Sequence, residues 1–440
     1  MSSITSNLSK TLSRQLFNII IQLGTSIIIA RGLGVEILGF YALAMIIPTF
    51  LTLFLSLGIT ASNIYFVGQK EVSRPHIYSN TMFTALFIIL LGYVLVHTFI
   101  TAYGGPLFPN VPQTLLFIAL MIFPFSLLNS FHLSFLQAIE NFTMFNIISL
   151  FQPFIYFILI ILLLLTDTLE ITNIIYAGLL SHLLLSLLST YAVYINGYHF
   201  ELSELSVPYI KKMLSYGLRS HISNMITFVN YRADLFLLNL FSAVSSVGIY
   251  TIAVQIAERL WMLSQALSTV MFPRFVALQK KEQERLNLIA KAFRTTIILT
   301  SFAAVLLSLF GYYLIEFLYG HAFLDAYTVI LYLIPGIIAG SGSRILANAI
   351  AAQGRPELNM YTSLFGMLLN IGLNLLLIPH YGFVGAAIAT STTYFVNTVL
   401  RIWLFNKLES SFCIITLSPK RDDIHLIYTK ILATLYKRSQ

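Results

Sequence analysis

Charged residues are scarce in this sequence of 440 residues: Asp, Glu, Lys and Arg together make up 10% of it, and the mean hydropathy is +0.84. A soluble domain carries about 25% charged residues. Most of the surface of this chain must therefore face a medium other than water. The net charge of +8 does not indicate nucleic acid binding, because the basic residues do not gather on a soluble face.

Cysteine is nearly absent too, since Cys413 is the only one in the sequence. A single cysteine excludes an internal disulfide and a cysteine cluster for a metal ion. There is no phosphate-binding GKS or GKT loop and no HExxH zinc motif. We therefore expect no enzyme, no cofactor and no metal site. The N-terminal segment 1–17 lacks the charged start and apolar core of a signal peptide, so we expect no processing.

Long hydrophobic runs, in contrast, recur along the whole chain. Runs of about 18 apolar residues or more are typical of transmembrane helices. The sequence therefore predicts an all-α polytopic membrane protein with about twelve spans. The predicted spans are 10–31, 37–66, 77–101, 112–137, 143–165, 171–195, 212–241, 246–273, 288–314, 327–352, 358–379 and 383–406.

Lys and Arg are distributed unequally between the predicted loops. The loops on one side contain only Arg31, whereas the loops on the other side and the C-terminal segment 407–440 are rich in Lys and Arg. Because cytoplasmic loops are enriched in these residues, we predict that both termini lie in the cytoplasm. Within the basic tail 407–440, the segment 418–440 is expected either to lie on the anionic inner leaflet or to be disordered.

Two segments of the chain repeat each other. GFYALA at 39–44 matches GIYTIA at 248–253, which begins 209 positions further on. With six helices in each half, the second half starts on the same side of the membrane as the first. The pattern predicts two parallel six-helix bundles, residues 1–200 and 201–406, followed by the basic tail. Such repeats are typical of transporters, whose substrate site lies at the repeat interface.

A polar stripe runs along the first predicted helix and has a counterpart on the seventh. Within each set the residues recur at helical spacing and therefore share one face. Because polar stripes are unfavourable against lipid, we expect both to face a shared, water-accessible cavity. The alternative is that small polar side chains bond neighbouring helices together. The two sets are Thr11, Gln15, Asn18, Gln22 and Thr25, and Ser220, Asn224, Thr227, Tyr231 and Asp234.

Charged residues away from the predicted helix ends form a further set of candidates. Each costs at least about 2.5–3.5 kcal/mol if it faces lipid at mid-helix. Arginines outnumber carboxylates in this set, which indicates an anionic ligand, and a guanidinium group suits pyrophosphate. Arg294 and Arg401 are left out, because their side chains can reach the nearby interface. The set is Arg219, Arg232, Asp234, Glu258, Arg259 and Arg344.

Two alternatives remain open for these charges. Arg232 or Arg259 could form an internal ion pair with Asp234 or Glu258. The same two carboxylates are also candidates for binding a coupling H⁺ or Na⁺. One proline and three glycines precede Arg344, which predicts a bent or interrupted helix. The candidate substrate-binding residues are Arg219, Arg259, Arg344, Arg232, Asn18, Gln22, Asn224 and Thr227.

Three segments of the chain resemble a known family. LLNIGLNLLLIPHYGFVGAAIATSTTYFV at 368–396 resembles the last helical hairpin of polysaccharide flippases of the Wzx or RfbX type, in the MOP (MATE-like) superfamily. IIARGLGVEILGFYALA at 28–44 resembles the first hairpin of that family, and DLFLLNLFSAVSSVGIYTIA at 234–253 resembles its helices 7 and 8. The residues that match in the last hairpin are Asn370, Asn374, Pro379, Gly382, Gly385, Ala386 and Ala387.

The resemblance implies transport of an undecaprenyl-pyrophosphate-linked oligosaccharide, such as an O-antigen repeat unit. The cargo would move from the cytoplasmic to the outer leaflet of a bacterial inner membrane by alternating access. The expected partners are this lipid-linked oligosaccharide and membrane lipid, with polysaccharide polymerase machinery as a further candidate. The main alternative is a MATE-type ion-coupled drug antiporter of the same fold, which would favour acidic residues in its lumen.

Overall fold

The computed structural model describes residues 2–69, 72–108 and 111–409. Within these ranges, the side chains of 2–15, 219, 220, 263, 266, 269, 270 and 273 are not described. The predictions that concern Thr11, Gln15, Arg219, Ser220, Cys413 and the part 410–440 of the predicted tail therefore lie outside the described side chains or residues.

Helices make up nearly all of the described chain, and no strand occurs in 2–69, 72–108 or 111–409. All twelve predicted spans are helical over most of their length, which confirms the all-α prediction. The helices are α1 (Ser2–Leu55), α2 (Ile59–Gln69), α3 (Arg74–Leu107), α4 (Gln113–Leu120), α5 (Ile122–Ala138), α6 (Phe142–Leu165), α7 (Ile171–Ile195), α8 (Val207–Phe241), α9 (Val244–Arg259), α10 (Trp261–Ala277), α11 (Glu282–Tyr319), α12 (Asp325–Ala352) and α13 (Pro356–Leu408).

Two of these helices each contain two predicted spans. The chain bends at Gly34 in α1 (φ 75°) and at Gly382 in α13 (φ 54°). Positive φ values are readily adopted only by glycine, so these two residues separate the paired spans without a loop. Conversely, three predicted spans are each divided into two helices, with breaks at 56–58, at Met121 and at Leu260.

Eight helical segments in the described chain are long and apolar enough to cross a membrane. The bent segments Leu16–Leu55 and Pro356–Leu408 each hold two predicted spans. The predicted spans 212–241 and 246–273 do not meet the same criterion. Span 246–273 is divided at Leu260 into helices of 16 and 17 residues, each too short for the criterion, and the two spans together carry five of the six intramembrane charges singled out above.

The described chain divides into two compact units. The first contains the residues up to Met225 together with Ala243–Gly248, and the second contains Ile226–Ser242 together with the residues from Ile249 onwards. The predicted bundle limits of 1–200 and 201–406 remain a prediction.

Within the first unit, equivalent glycines of the repeat make reciprocal close contacts. A Cβ atom on Gly39 would collide with the carbonyl oxygen of Val244, and one on Gly248 would collide with the carbonyl oxygen of Val35. Val35 and Val244 are themselves 209 positions apart. The repeat therefore extends from the sequence to pairwise backbone packing.

Buried polar side chains of the first unit bond to one another across helices. His132 is 2% exposed, and its ring nitrogens lie 3.0 Å from Ser189 Oγ and 3.4 Å from Tyr78 Oη. Asn63 donates to Ser134 Oγ at 3.0 Å. These contacts join α2, α3, α5 and α7, as expected where water is excluded and polar groups must find partners within the protein.

In the second unit, a buried ion pair ties the start of α11 to the end of α13. Arg285 and Gln353 both donate to the same carboxylate oxygen of Glu409. Burial raises the pKa of Glu409, and the Arg285 guanidinium opposes that rise. The apolar cluster around Phe293, Leu346 and Phe405 packs α11, α12 and α13 together.

Candidate functional site

A cavity of about 790 Å³ lies inside the second unit. Four helices, α8, α10, α12 and α13, contribute to its wall. Its described lining residues are Thr227, Asn230, Tyr231, Trp261, Gln265, Ser268, Phe272, Gly340, Ser343, Arg344, Ala347, Asn348, Ala351, Ser363, Tyr394, Asn397 and Arg401.

Helical spacing explains how the wall is built. On α8, positions 227, 230 and 231 fall on one face, since residues three and four apart are neighbours on a helix surface. On α12, the small residues Gly340, Ser343, Ala347 and Ala351 follow the same spacing. Their short side chains leave the space that the cavity occupies.

Of the two predicted alternatives for the helix that carries Arg344, the interrupted helix is wrong, because α12 is continuous from Asp325 to Ala352, and the bend stays a prediction. Its glycines serve for close packing instead. A Cβ atom on Gly336 would collide with Ser391, whose hydroxyl accepts a hydrogen bond from the Gly336 N–H at 2.8 Å. This bond helps to satisfy the backbone of α12 directly after Pro335, where the helical hydrogen-bond ladder is incomplete.

Arg344 lies over an aromatic ring at the cavity wall. Its guanidinium carbon is 5.3 Å from the ring centroid of Trp261, a distance at which the cation is attracted to the π-face. The ring itself is held in place, because the Trp261 indole N–H donates to the carbonyl oxygen of Ile337 at 2.9 Å. Arg344 thus lies in a fixed setting without an acidic partner in the cavity wall.

Arg401 is a second cation in the same wall. Its Nη1 donates to Ser343 Oγ at 2.8 Å and its Nη2 to Ser363 Oγ at 3.4 Å, while its Nε is buried and has no hydrogen-bond partner among the described residues. Arg401 was not among the predicted site residues, because it lies near a predicted helix end. Its position seven residues after Tyr394, on the same helical face, is the signal that could have identified it.

The cavity wall is cationic. Arg344 and Arg401 are its charged residues, and no Asp or Glu occurs among its described lining residues. Both guanidinium groups contact neutral partners, namely an indole ring and two serine hydroxyls. Glu258, outside the described lining, interacts electrostatically with Arg344, but the wall itself presents two half-buried guanidinium groups and no described carboxylate, which favours an anionic ligand.

The predicted site residues of the second unit are only partly brought together. Thr227 and Arg344 line the cavity, whereas Arg232, Glu258 and Arg259 do not belong to its described lining residues. Arg232 Nη2 lies 3.8 Å from Glu258 Oε2, so the alternative of an internal ion pair applies to Arg232. The two side chains are 37% and 27% exposed, and a partly exposed pair at this distance contributes little to stability.

Asp234 is buried in a hydrogen-bond network beside the cavity. The hydroxyl of Tyr250 donates to Asp234 Oδ2 at 2.6 Å, the backbone N–H of Leu235 donates to Oδ1 at 2.8 Å, and the Thr390 hydroxyl lies 3.4 Å from Oδ2. Asp234 follows Tyr231 by three residues and Thr390 precedes Tyr394 by four. The carboxyl therefore lies about one helical turn from the cavity wall.

The network continues to two asparagines of α13. Asn370 donates to Thr390 Oγ1 at 3.3 Å, and Asn374 donates to Asn370 Oδ1 at 2.9 Å. Both are fully buried, and Asn374 Oδ1 has no hydrogen-bond partner among the described residues. These asparagines belonged to the family-like motif in the sequence, but their connection to Asp234 was not predicted.

Four predicted site residues, Asn18, Gln22, Arg219 and Asn224, lie in the first unit and are not among the described lining residues of this cavity. Asn18 accepts from Gln22 Nε2 at 3.4 Å, within one turn of α1, and Asn224 is exposed on α8. The side chain of Arg219 is outside the described set. The polar stripe of α8 thus reaches the cavity through Thr227 and Tyr231 and ends at the buried Asp234.

Comparison with known proteins adds to this geometry. A family model described as "Polysaccharide biosynthesis protein" matches residues 28–328, more than half of the chain. A Haloferax volcanii protein named "Probable low-salt glycan biosynthesis flippase Agl15" is 27% identical over 192 residues, which cover 43% of this chain. A Shigella flexneri protein named "Putative O-antigen transporter" is 22% identical over 397 residues, covering 87% of this chain and 93% of that protein.

This chain spans only about two fifths of the length of two of its relatives, 41% of the Haloferax volcanii protein and 40% of a Methanocaldococcus jannaschii membrane protein. Solved structures match over almost the whole chain. Lipid II flippase MurJ in an inward closed conformation has a TM-score of 0.74 at 17% identity, covering 92% of this chain and 88% of that one. An inward-facing MATE multidrug transporter of the MOP superfamily has a TM-score of 0.75 at 14% identity, covering 90% and 95%. These likenesses establish the fold.

Proposed function

Because the chain belongs to the family of polysaccharide biosynthesis proteins, we propose that it is a flippase for lipid-linked glycans. It is a multi-pass membrane protein with the fold of MOP-superfamily transporters. Flippases occur among the relatives and among the similar structures. No enzymatic step is part of this proposal.

The observation that carries the proposal is the composition of the cavity in the second unit. It combines two arginines with hydroxyl and amide side chains and with aromatic rings, and no carboxylate is among its described lining residues. A lipid-linked glycan has the complementary chemistry, since a diphosphate joins a chain of hydroxyl-rich sugars to a lipid. Guanidinium groups bind phosphate oxygens in pairs of hydrogen bonds, and amides and hydroxyls bind sugar hydroxyls.

The proposed cargo is an undecaprenyl-pyrophosphate-linked repeat unit of an O-antigen or a similar polymer. It would move from the cytoplasmic to the outer leaflet of a bacterial inner membrane by alternating access, with both termini of the protein in the cytoplasm. Arg344 and Arg401 would bind the diphosphate, with Arg219, Arg232 and Arg259 as further cations along the path. An inside-negative membrane potential favours the outward movement of an anion, which supplies a driving force without ATP.

Asp234 is the proposed site of a coupling cation. Its carboxyl is buried, and the unpartnered oxygen of Asn374 lies in the same network, so an added proton or Na⁺ would find oxygen ligands there. Glu258 is the second candidate, but its proximity to Arg232 satisfies part of its charge. We further propose that this chain interacts with polysaccharide polymerase machinery.

The rival function, a MATE-type drug antiporter, fits the cavity less well. A cationic drug entering it would meet two guanidinium groups and no compensating carboxylate among the described lining residues. Burying like charges together is unfavourable. The fold alone does not separate the two functions, since both kinds of transporter share it.

The proposal is tested by complementation in a bacterium that lacks its own polysaccharide flippase and carries the glycan genes native to this protein. We expect the wild type to restore surface polymer, and Arg344→Ala to reduce it about 10- to 100-fold, because charge-assisted bonds to the diphosphate are lost. The matched control is Arg355→Ala, an arginine that is exposed at the start of α13. Lipid-linked oligosaccharide that stays in the cytoplasmic leaflet despite good expression of the wild type would contradict the proposal.

A further inference from the structure

We propose that Tyr231, Trp261 and Tyr394 form a platform for the sugar next to the diphosphate, with Arg344 and Arg401 fixing the diphosphate beside it. This inference deepens the proposed function and rests on it. It assigns the cavity of the second unit to one part of the cargo, the glycosyl diphosphate, rather than to the lipid or to the distal sugars. We refer to the three rings as the aromatic platform.

The three rings come from three helices and contact each other pairwise. The ring centroids are 5.7 Å apart for Tyr231 and Trp261, 5.0 Å for Trp261 and Tyr394, and 6.0 Å for Tyr231 and Tyr394. All three side chains line the cavity. Convergence of α8, α10 and α13 on one aromatic cluster gives the cavity a rigid apolar wall.

Such a wall has the chemistry that sugars require. A pyranose presents C–H groups on its faces and hydroxyls around its rim, and the electron-rich face of an aromatic ring attracts the C–H face. A purely apolar ligand would need no polar rim. Here the platform is surrounded by amides and hydroxyls, namely those of Asn230, Gln265, Ser268, Asn348 and Asn397.

Two of these amide side chains are buried with an oxygen that accepts no hydrogen bond from the described residues. Asn230 and Asn397 are 7% and 6% exposed, and the Oδ1 atom of each has no hydrogen-bond partner among the described residues. Buried polar atoms in proteins almost always have a partner, so an unpaired acceptor calls for an explanation. Sugar hydroxyls are donors, and they would provide a partner once these side chains turn toward the cavity, because both asparagines line it but neither Oδ1 atom is exposed on its surface.

The arginines are placed to hold a charged group at the edge of the platform. Arg344 lies over the Trp261 ring, and Arg401 has a buried Nε–H without a partner among the described residues. The cavity volume of about 790 Å³ falls in the range of small-molecule sites, about 300–1,000 Å³. The space suits a diphosphate with the adjoining sugar, and a longer glycan would extend beyond it.

The chain offers a direct optical test, because Trp261 and Trp403 are its only tryptophans. Trp403 is 55% exposed and does not line the cavity, so Trp403→Phe leaves a single tryptophan in the platform. We would titrate this purified full-length variant with three lipid-free probes and follow its fluorescence. The probes are inorganic pyrophosphate, a methyl glycoside, and the same sugar as its glycosyl diphosphate.

We expect the glycosyl diphosphate to bind about tenfold more tightly than pyrophosphate, since the ring adds a stacking contact. In this background, Tyr394→Leu should abolish that gain while leaving pyrophosphate binding unchanged, and Tyr394→Phe should retain it. Arg401→Gln should weaken both diphosphates by a similar factor. The control is Tyr381→Leu, which removes a 60% exposed tyrosine of the same helix.

A Tyr394→Leu variant that weakens pyrophosphate and glycosyl diphosphate equally would overturn the platform, and Tyr231→Leu provides a second variant if the first fails to fold. Absence of any probe binding by a chain that still restores surface polymer would refute this inference but leave the proposed function intact. If the chain binds the probes in the predicted pattern but restores no polymer, the proposed function is wrong. The glycosyl diphosphate site would still stand.

Discussion

At the scale of single residues, the environment of each charged group decides its role more than its position in a helix does. Arg344 and Arg401 have neutral partners in the cavity wall, whereas Arg232 lies near Glu258 and Arg285 is bound to Glu409. A guanidinium that already faces a carboxylate has less to gain from an anionic ligand. The two cavity arginines are therefore the strongest candidates for contact with the cargo.

Asp234 carries the residue-scale prediction on coupling. Asp234→Asn keeps the size of the side chain but removes the charge that a cation would neutralise, so we expect transport to fall about tenfold or more and to lose its dependence on an imposed H⁺ or Na⁺ gradient. The measurement is the rate of glycan appearance on the outer leaflet with and without the gradient. Asp325→Asn, at an exposed carboxyl at the start of α12, is the control.

A variant that responds to the gradient like the wild type would exclude Asp234 as the coupling site. The same assay on Glu258→Gln would then decide whether the second candidate takes the role.

At the scale of helices, glycine sets where spans end and how closely they pack. Gly34 and Gly382 each separate two spans at a kink with no loop between them, and the reciprocal contacts of Gly39 and Gly248 bring backbones together within the first unit. The sequence repeat around these glycines was visible as GFYALA and GIYTIA. The sequence did not show that each of these two glycines packs against the segment that contains the other.

This packing predicts that Gly39→Ala destabilises the protein. The added methyl group would collide with the carbonyl oxygen of Val244, and overpacking of this kind costs about 1–3 kcal/mol. The readout is the thermal unfolding midpoint of the purified protein in detergent. Gly372→Ala is the matched control, because nothing lies within 4 Å of a Cβ atom there, and alanine is the better helix former. Equal midpoints for the two variants would refute the close contact.

At the scale of the whole molecule, the sequence was informative about what depends on composition and spacing along one helix. Hydrophobic runs located the spans, and the excess of arginine over carboxylate pointed to an anionic ligand. Features that depend on several helices at once could not be predicted. The aromatic platform joins three helices. Arg401 was not predicted because it lies close to a predicted helix end, and the Arg232–Glu258 pair was one of several possible pairings.

The central claim is that this chain moves lipid-linked glycans by means of a cationic cavity in its second unit. The most direct measurement reconstitutes the purified full-length chain into liposomes that contain a polyprenyl-diphosphate oligosaccharide in one leaflet, and follows its exposure to a lectin on the opposite side. We expect rapid exposure with the wild type and with Arg355→Ala, and exposure close to that of protein-free liposomes with Arg344→Ala. Wild-type liposomes that leave the glycan in place but exchange a cationic dye for H⁺ or Na⁺ would contradict it and identify the chain as an antiporter.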